Sequence, residues 1–243
     1  YRGRKTRAIK ALGELLAREV EERWYVKGAL NDWNRRLEEY LEGRISFEEL
    51  MEASARPRLL VRVKIKNGDL YFEPATKEDN DRLWVALDRL RSMWGDTDIP
   101  TELFAPYGFA YGGQLCIPIW GFDKFFKLFN PRQLLTLVKL VKLIREAGKR
   151  VEKEKVREGW SREEAFRYAE AVTTYLAIAL ARYVTFNSVT APIRADTIMG
   201  AIVAGALTFR GIAMVWNYGE INPSADITGS WIRNIRSVIS GLF

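Results

Sequence analysis

The sequence predicts an α+β chain that is mainly α: a helical, bundle-like core carrying one β-hairpin and a long loop rich in aromatics, glycine and proline. Three observations predict it. Helix-start signals recur at Ser46-Phe47-Glu48-Glu49, Asn130-Pro131-Arg132-Gln133 and Ser161-Arg162-Glu163-Glu164, where an N-cap side chain and the residue three places on can satisfy each other's backbone amides. A single short turn signal, Asn67-Gly68, joins two β-prone runs, the pairing of a two-residue hairpin. Residues 95–128 then gather Pro100, Pro106 and Pro118 with several glycines and aromatics, a composition too irregular for a helix or strand.

Three regions follow in order: 1–56 helical, 57–128 with the hairpin, a helix and the aromatic loop, and 129–243 an apolar helical core. In the first, Arg4 to Trp24 places Leu12, Leu15, Leu16 and Val20 on one stripe. A shorter helix is expected from Asn31 to Leu41, ending at Gly43. Ser46 and Glu49 make a capping box, with Ile45 and Leu50 as its hydrophobic staple. In the second region, Leu59, Val61, Val63 and Ile65 alternate with Arg62, Lys64 and Lys66. The apolar set is expected to face the core and the cations to face water. Thr76 to Trp94 reads as a helix buried through Leu83, Trp84, Leu87, Leu90 and Trp94, stopped at Gly95. In the third, Asn130, Pro131 and Gln133 fit the N-cap, N1 and N3 positions of a long helix. The helix begun at Ser161 is nearly charge-free after Ala171 and is expected at the centre of the core. Ile198 to Phe209 is expected as a further buried helix, since it is only about two-thirds of a membrane-spanning length and is flanked by Asp196 and Arg210.

The 243 residues are 48% hydrophobic and 28% charged, a folding composition. The formal charge of +7 favours polyanionic partners. Abundant Lys, Arg and Glu beside scarce Gln also give a thermophile-like surface. Histidine is absent and Cys116 is the one cysteine, which excludes an internal disulfide, a Cys/His zinc site and a histidine base. No metal or catalytic residue is assigned. The N-terminus YRGRKTRAIK has no apolar signal-peptide core, and a cytoplasmic location is expected. The start at Tyr1 and the end at Gly241-Leu242-Phe243 are read as those of a piece of a longer protein.

The candidate binding residues fall in three groups. Arg62, Lys64 and Lys66 on one strand face would track phosphates, or would guard a sheet edge against aggregation. Tyr107, Tyr111 and Trp120, with Phe109, would stack on bases, or would plug the space between subdomains. Trp216, Glu220 and Asn222 would line a pocket, or would be packing residues. The basic helix from Lys139 onward is read mainly as a solvated surface, because four glutamates intersperse its eight cations.

Two blocks carry a resemblance. One is Tyr111–Ala147, with Phe129 and Pro131-Arg132-Gln133-Leu134-Leu135. The other is Met214–Trp231, with Met214, Trp216, Asn217, Glu220, Asn222 and Pro223. Together, over roughly residues 60 to 243, they resemble the prokaryotic adenine-specific DNA methylases that contain a zinc ribbon. The resemblance implies a parent enzyme using S-adenosylmethionine, with DNA and the remaining domains of that enzyme as partners. It implies that the zinc ribbon and cofactor motif lie upstream and the Asp-Pro-Pro-Tyr loop downstream. Asn217 stands where the family usually has Asp. Asn222-Pro223 is followed by Ser224 and Ala225 rather than proline and an aromatic, so this pair is read as a turn and not as that catalytic loop. The chain alone is therefore expected to be inactive. The alternative is a helical protein-interaction or structural module with no nucleic-acid role.

Overall fold

The structure is a computed structural model that describes residues 25–67, 69–103, 117–193, 203, 205–206, 215 and 217–242. Among them the chain is mainly helical, with one two-stranded antiparallel hairpin. Helix α1 covers 25–41. It is followed by α2 (Phe47–Met51), β1 (Val61–Lys66), β2 (Asp69–Pro74) and α3 (Lys77–Ser92). Two short 3-10 turns, Ile117–Trp120 and Phe125–Leu128, lead into α4 (Pro131–Arg157), α5 (Arg162–Phe186) and α6 (Trp231–Ser240).

Local chemistry sets the boundaries. Reciprocal capping boxes open α2 at Ser46/Glu49, α3 at Thr76/Asp79, α4 at Asn130/Gln133 and α5 at Ser161/Glu164. Each N-cap is worth roughly 1 kcal/mol. The expected break before Asn31 does not occur. Helix α1 runs through it, and Asn31 donates its side-chain amide back to the Lys27 carbonyl (2.8 Å) rather than capping a new helix.

The main core is built by α1, α2, α3 and the first half of α4. Trp33, Leu37, Leu50, Leu87, Leu90, Phe126, Leu134 and Val138 are buried together, and Trp84 and Phe47 meet edge to face at 5.9 Å. This one cluster draws residues from all three sequence regions. A second cluster joins Leu137 and Leu140 of α4 to Tyr183 of α5.

Helix α5 corrects an expectation. It packs on the flank of α4 and is not the centre of the core. Its buried line is Ala165, Ala169, Ala179 and Tyr183, while Phe166, Tyr175 and Ile178 are exposed. Its charge-free run is largely Ala, Thr and Tyr, small or amphipathic side chains that need only one covered side. The close approach is visible at Gly148 of α4, where an added Cβ would lie 2.7 Å from Thr173 Cγ2.

The hairpin forms as expected, with Lys66 opposite Asp69 and Asn67 at φ 54° in the turn. Its orientation does not follow expectation. Val61, Val63, Ile65 and Phe72 share the exposed face. The cationic face lies toward the start of α3, because the hairpin is tied there by polar bonds. Asn80 accepts from Leu59 N (2.9 Å) and donates to Leu59 O (3.1 Å).

The expected helix over Ile198–Phe209 is not formed at its described positions. Val203 makes an isolated antiparallel bridge to Ile193, and neither Gly205 nor Ala206 is helical. Glycines at 200 and 205 among β-branched residues disfavour the helix. The rest of that segment, the Arg4–Trp24 stripe and Cys116 lie outside the described residues. No described helix is long and apolar enough to cross a membrane.

Candidate nucleic-acid interface

The antiparallel register places Glu73 directly opposite Arg62 and diagonal to Lys64, and both cations use it. Arg62 Nη2 donates to Glu73 Oε2 (3.1 Å) and Lys64 Nζ to Glu73 Oε1 (2.8 Å). Arg62 also lies 3.4 Å from Asp79 Oδ2. The Lys64 hydrogen bond, more than any other influence, holds the Glu73 carboxyl below its usual range. Asp79 is held low as well, chiefly by the backbone amide of Thr76. The hairpin face is thus a charge-balanced surface, with Lys66 the strand cation that has no ion-pair partner among the described residues.

The longer line of free charge is on α4. Its inner side buries Leu137, Leu140, Ile144 and Gly148, so helical geometry turns Lys139, Lys142, Glu146, Lys149, Lys153 and Arg157 outward together. Lys139, Lys149, Lys153 and Arg157 have no acidic partner among the described residues. Lys142 is paired with Asp96, and the Arg150–Glu146 pair is loose at 3.8 Å. From Lys139 to Arg157 the line spans about 27 Å at the helical rise. A shallow open groove runs beside it, lined by Glu146, Lys149, Arg150, Lys153, Glu154 and Arg157. Glu152 and Glu158 fall on other sides of the helix, leaving Glu146 on the line and Glu154 at its margin.

Glu220 is the centre of a junction. Arg132 grips it with a fork, Nε to Oε1 and Nη2 to Oε2, both 2.9 Å. Asn130 Nδ2 adds a third donor at 2.9 Å. Gln133 Nε2 donates to the Gly219 carbonyl (3.2 Å). Gly219 has no room for a side chain, since a Cβ would lie 2.2 Å from Val203. Tyr183 donates to the Ile221 carbonyl (3.1 Å), and burial pushes its hydroxyl pKa up, keeping it a neutral donor. The two sequence blocks that carry the methylase resemblance therefore meet here. No family model, curated protein or solved structure matches the chain.

Asn222 accepts from the amide of Ser224 (2.9 Å) in a tight turn, and the Pro223 carbonyl accepts from Ile232 at the start of α6. That geometry commits the Asn side chain locally. Trp120 packs beside Ile117, Phe122 and Leu128, and its carbonyl accepts from buried Asn34 (3.3 Å). Behind it Lys127, 5% exposed, reaches Glu38 (2.6 Å) and Asp123 (2.7 Å), pinning this segment to α1. Burial raises the Glu38 pKa, but the Lys124 and Lys127 hydrogen bonds outweigh it and hold the carboxyl below its usual range. Tyr107, Tyr111 and Trp216 lie outside the described residues.

The described residues do not contain the strand, Gly-rich turn and helix that commonly cradle S-adenosylmethionine. Their strands are the two of the hairpin, joined by a two-residue turn. No group of three metal-ligating side chains is brought together among them either.

Proposed function

We propose that this chain is a DNA-engaging and scaffolding segment of an S-adenosylmethionine-dependent, adenine-specific DNA methyltransferase in the cytoplasm. The observation that carries the DNA part is the outer face of α4, where Lys139, Lys149, Lys153 and Arg157 stand free of acidic partners. Cations in such a line neutralise phosphates and release counterions without reading sequence. The methyltransferase part rests on the resemblance of the two blocks, and it is supported by their mutual grip through Arg132 and Glu220. In this reading the α4 line positions the duplex, the junction braces the catalytic part, and the methyl donor is held by other domains of the enzyme.

The test is duplex binding by the 243-residue chain over a salt series, alongside transfer of a labelled methyl group to DNA. Binding that weakens steeply with salt and no transfer by the chain alone are expected. Failure to bind duplex at low salt would remove the DNA reading. The rival is a protein-interaction or structural module. It is favoured by the apolar hairpin face, where Val61 is 45% and Phe72 66% exposed, an arrangement that marks interaction surfaces.

A further inference from the structure

We infer that the tip of the α4–α5 helical hairpin is a stacking platform for unpaired DNA bases. This rests on the DNA reading of α4 and adds a second mode of contact to it. The tip is the short connection through Gly159 and Trp160 to the N-cap Ser161. Trp160 meets Tyr168 edge to face, ring centroids 5.6 Å apart. Lys155 Nζ sits 5.1 Å from the Trp160 ring and 5.2 Å from the Tyr168 ring, and Glu158 fixes the ammonium in place at 2.7 Å. The rings are thereby held, yet Trp160 stays 41% and Tyr168 44% exposed.

The held rings and the unpaired cations beside them, taken together, point to the occupant. Among the acids nearby, Glu158 is held by Lys155, Glu163 by Arg167 at 2.6 Å, and Glu164 by the Ser161 cap. Glu152, Glu154 and Glu170 have no ion pair among the described residues, and neither do Lys153, Arg157 and Arg162. Held aromatic rings beside available cations are the combination that binds single strands, the cations tracking the backbone and the rings stacking on bases. A closed duplex hides its base faces, so the tip acts only where bases are exposed, as in a single strand, a mismatch or an extruded nucleotide. The α4 line supplies the path along the backbone to that point.

The test compares a thymine-only single strand of about 20 nucleotides with a matched duplex of the same length, by fluorescence anisotropy on the full 243-residue chain. Trp160→Leu keeps an apolar side chain at the tip and removes the ring. It is expected to weaken single-strand binding by about tenfold and to change duplex binding by less than about twofold. Trp160→Phe, which keeps a ring, is expected to retain most of the single-strand affinity. Single-strand affinity unchanged in Trp160→Leu would overturn the inference while leaving the α4 reading intact. So would a wild type that binds duplex and not the single strand. A wild type that binds neither would overturn both.

Discussion

Along β1 the cations Arg62, Lys64 and Lys66 recur at every second residue, and along α4 Lys139, Lys149, Lys153 and Arg157 recur at helical spacing. Both patterns place like charges on one face, yet the two faces differ in available charge. On the hairpin the neighbours of a residue come from the opposite strand, and the register delivers Glu73 between Arg62 and Lys64, with Asp79 behind. On α4 the neighbours come from the same helix, three and four residues away, and Glu152 and Glu158 point elsewhere. Exposed pairs such as Lys64–Glu73 add little stability, but they cancel the field that a phosphate would feel. The comparison teaches that cations counted along a sequence become a binding face only when the folded neighbours leave them unanswered.

The comparison presupposes a scaffold, and the largest effect comes from breaking it. Leu87 is fully buried in the main core, so Leu87→Ala is expected to cost about 2–5 kcal/mol in chemical denaturation. Leu176, half-buried on α5, is expected to cost less, about 1–2 kcal/mol. Equal costs would mean that α5 belongs to the core after all. Glu73→Gln sharpens the contrast directly. It removes the carboxylate that Arg62 and Lys64 share, and the salt dependence of duplex binding is expected to steepen by about 1 to 2 in log–log slope. An unchanged slope would show that the hairpin lies off the DNA path whatever its charge. The smallest effect is expected from Arg62→Gln, Lys64→Gln and Lys66→Gln together. Only Lys66 is free of ion pairs, so the slope should flatten by about 0.9. Flattening by three phosphates' worth would break the register argument.

Caps and turn were legible because their chemistry is local. Ser46, Asn130 and Ser161 each bond to an amide within three residues, and Asn67-Gly68 fixes a two-residue turn. That same turn sets Arg62 opposite Glu73, a pairing that follows from a two-residue loop. The burial of α5 was not legible, because an Ala- and Thr-rich run fits a buried helix and a one-sided helix equally well. The hairpin's apolar face was misjudged for a related reason. Alternation shows that Val61, Val63 and Ile65 share a side, not whether anything covers it. Glu220 was singled out from the sequence, but its partner Arg132 lies 88 residues away, and only folding joins them.

The central claim is that α4 presents a line of free cations to DNA. Its most direct test replaces Lys139, Lys149, Lys153 and Arg157 by glutamine and measures duplex affinity across a salt series. None of the four is buried, so the fold and its helical circular dichroism should persist. If each cation neutralises one phosphate, the log–log slope should flatten by about 3.6, several times the effect of the hairpin triple variant. A slope that stays at the wild-type value, with duplex still bound, would contradict the account.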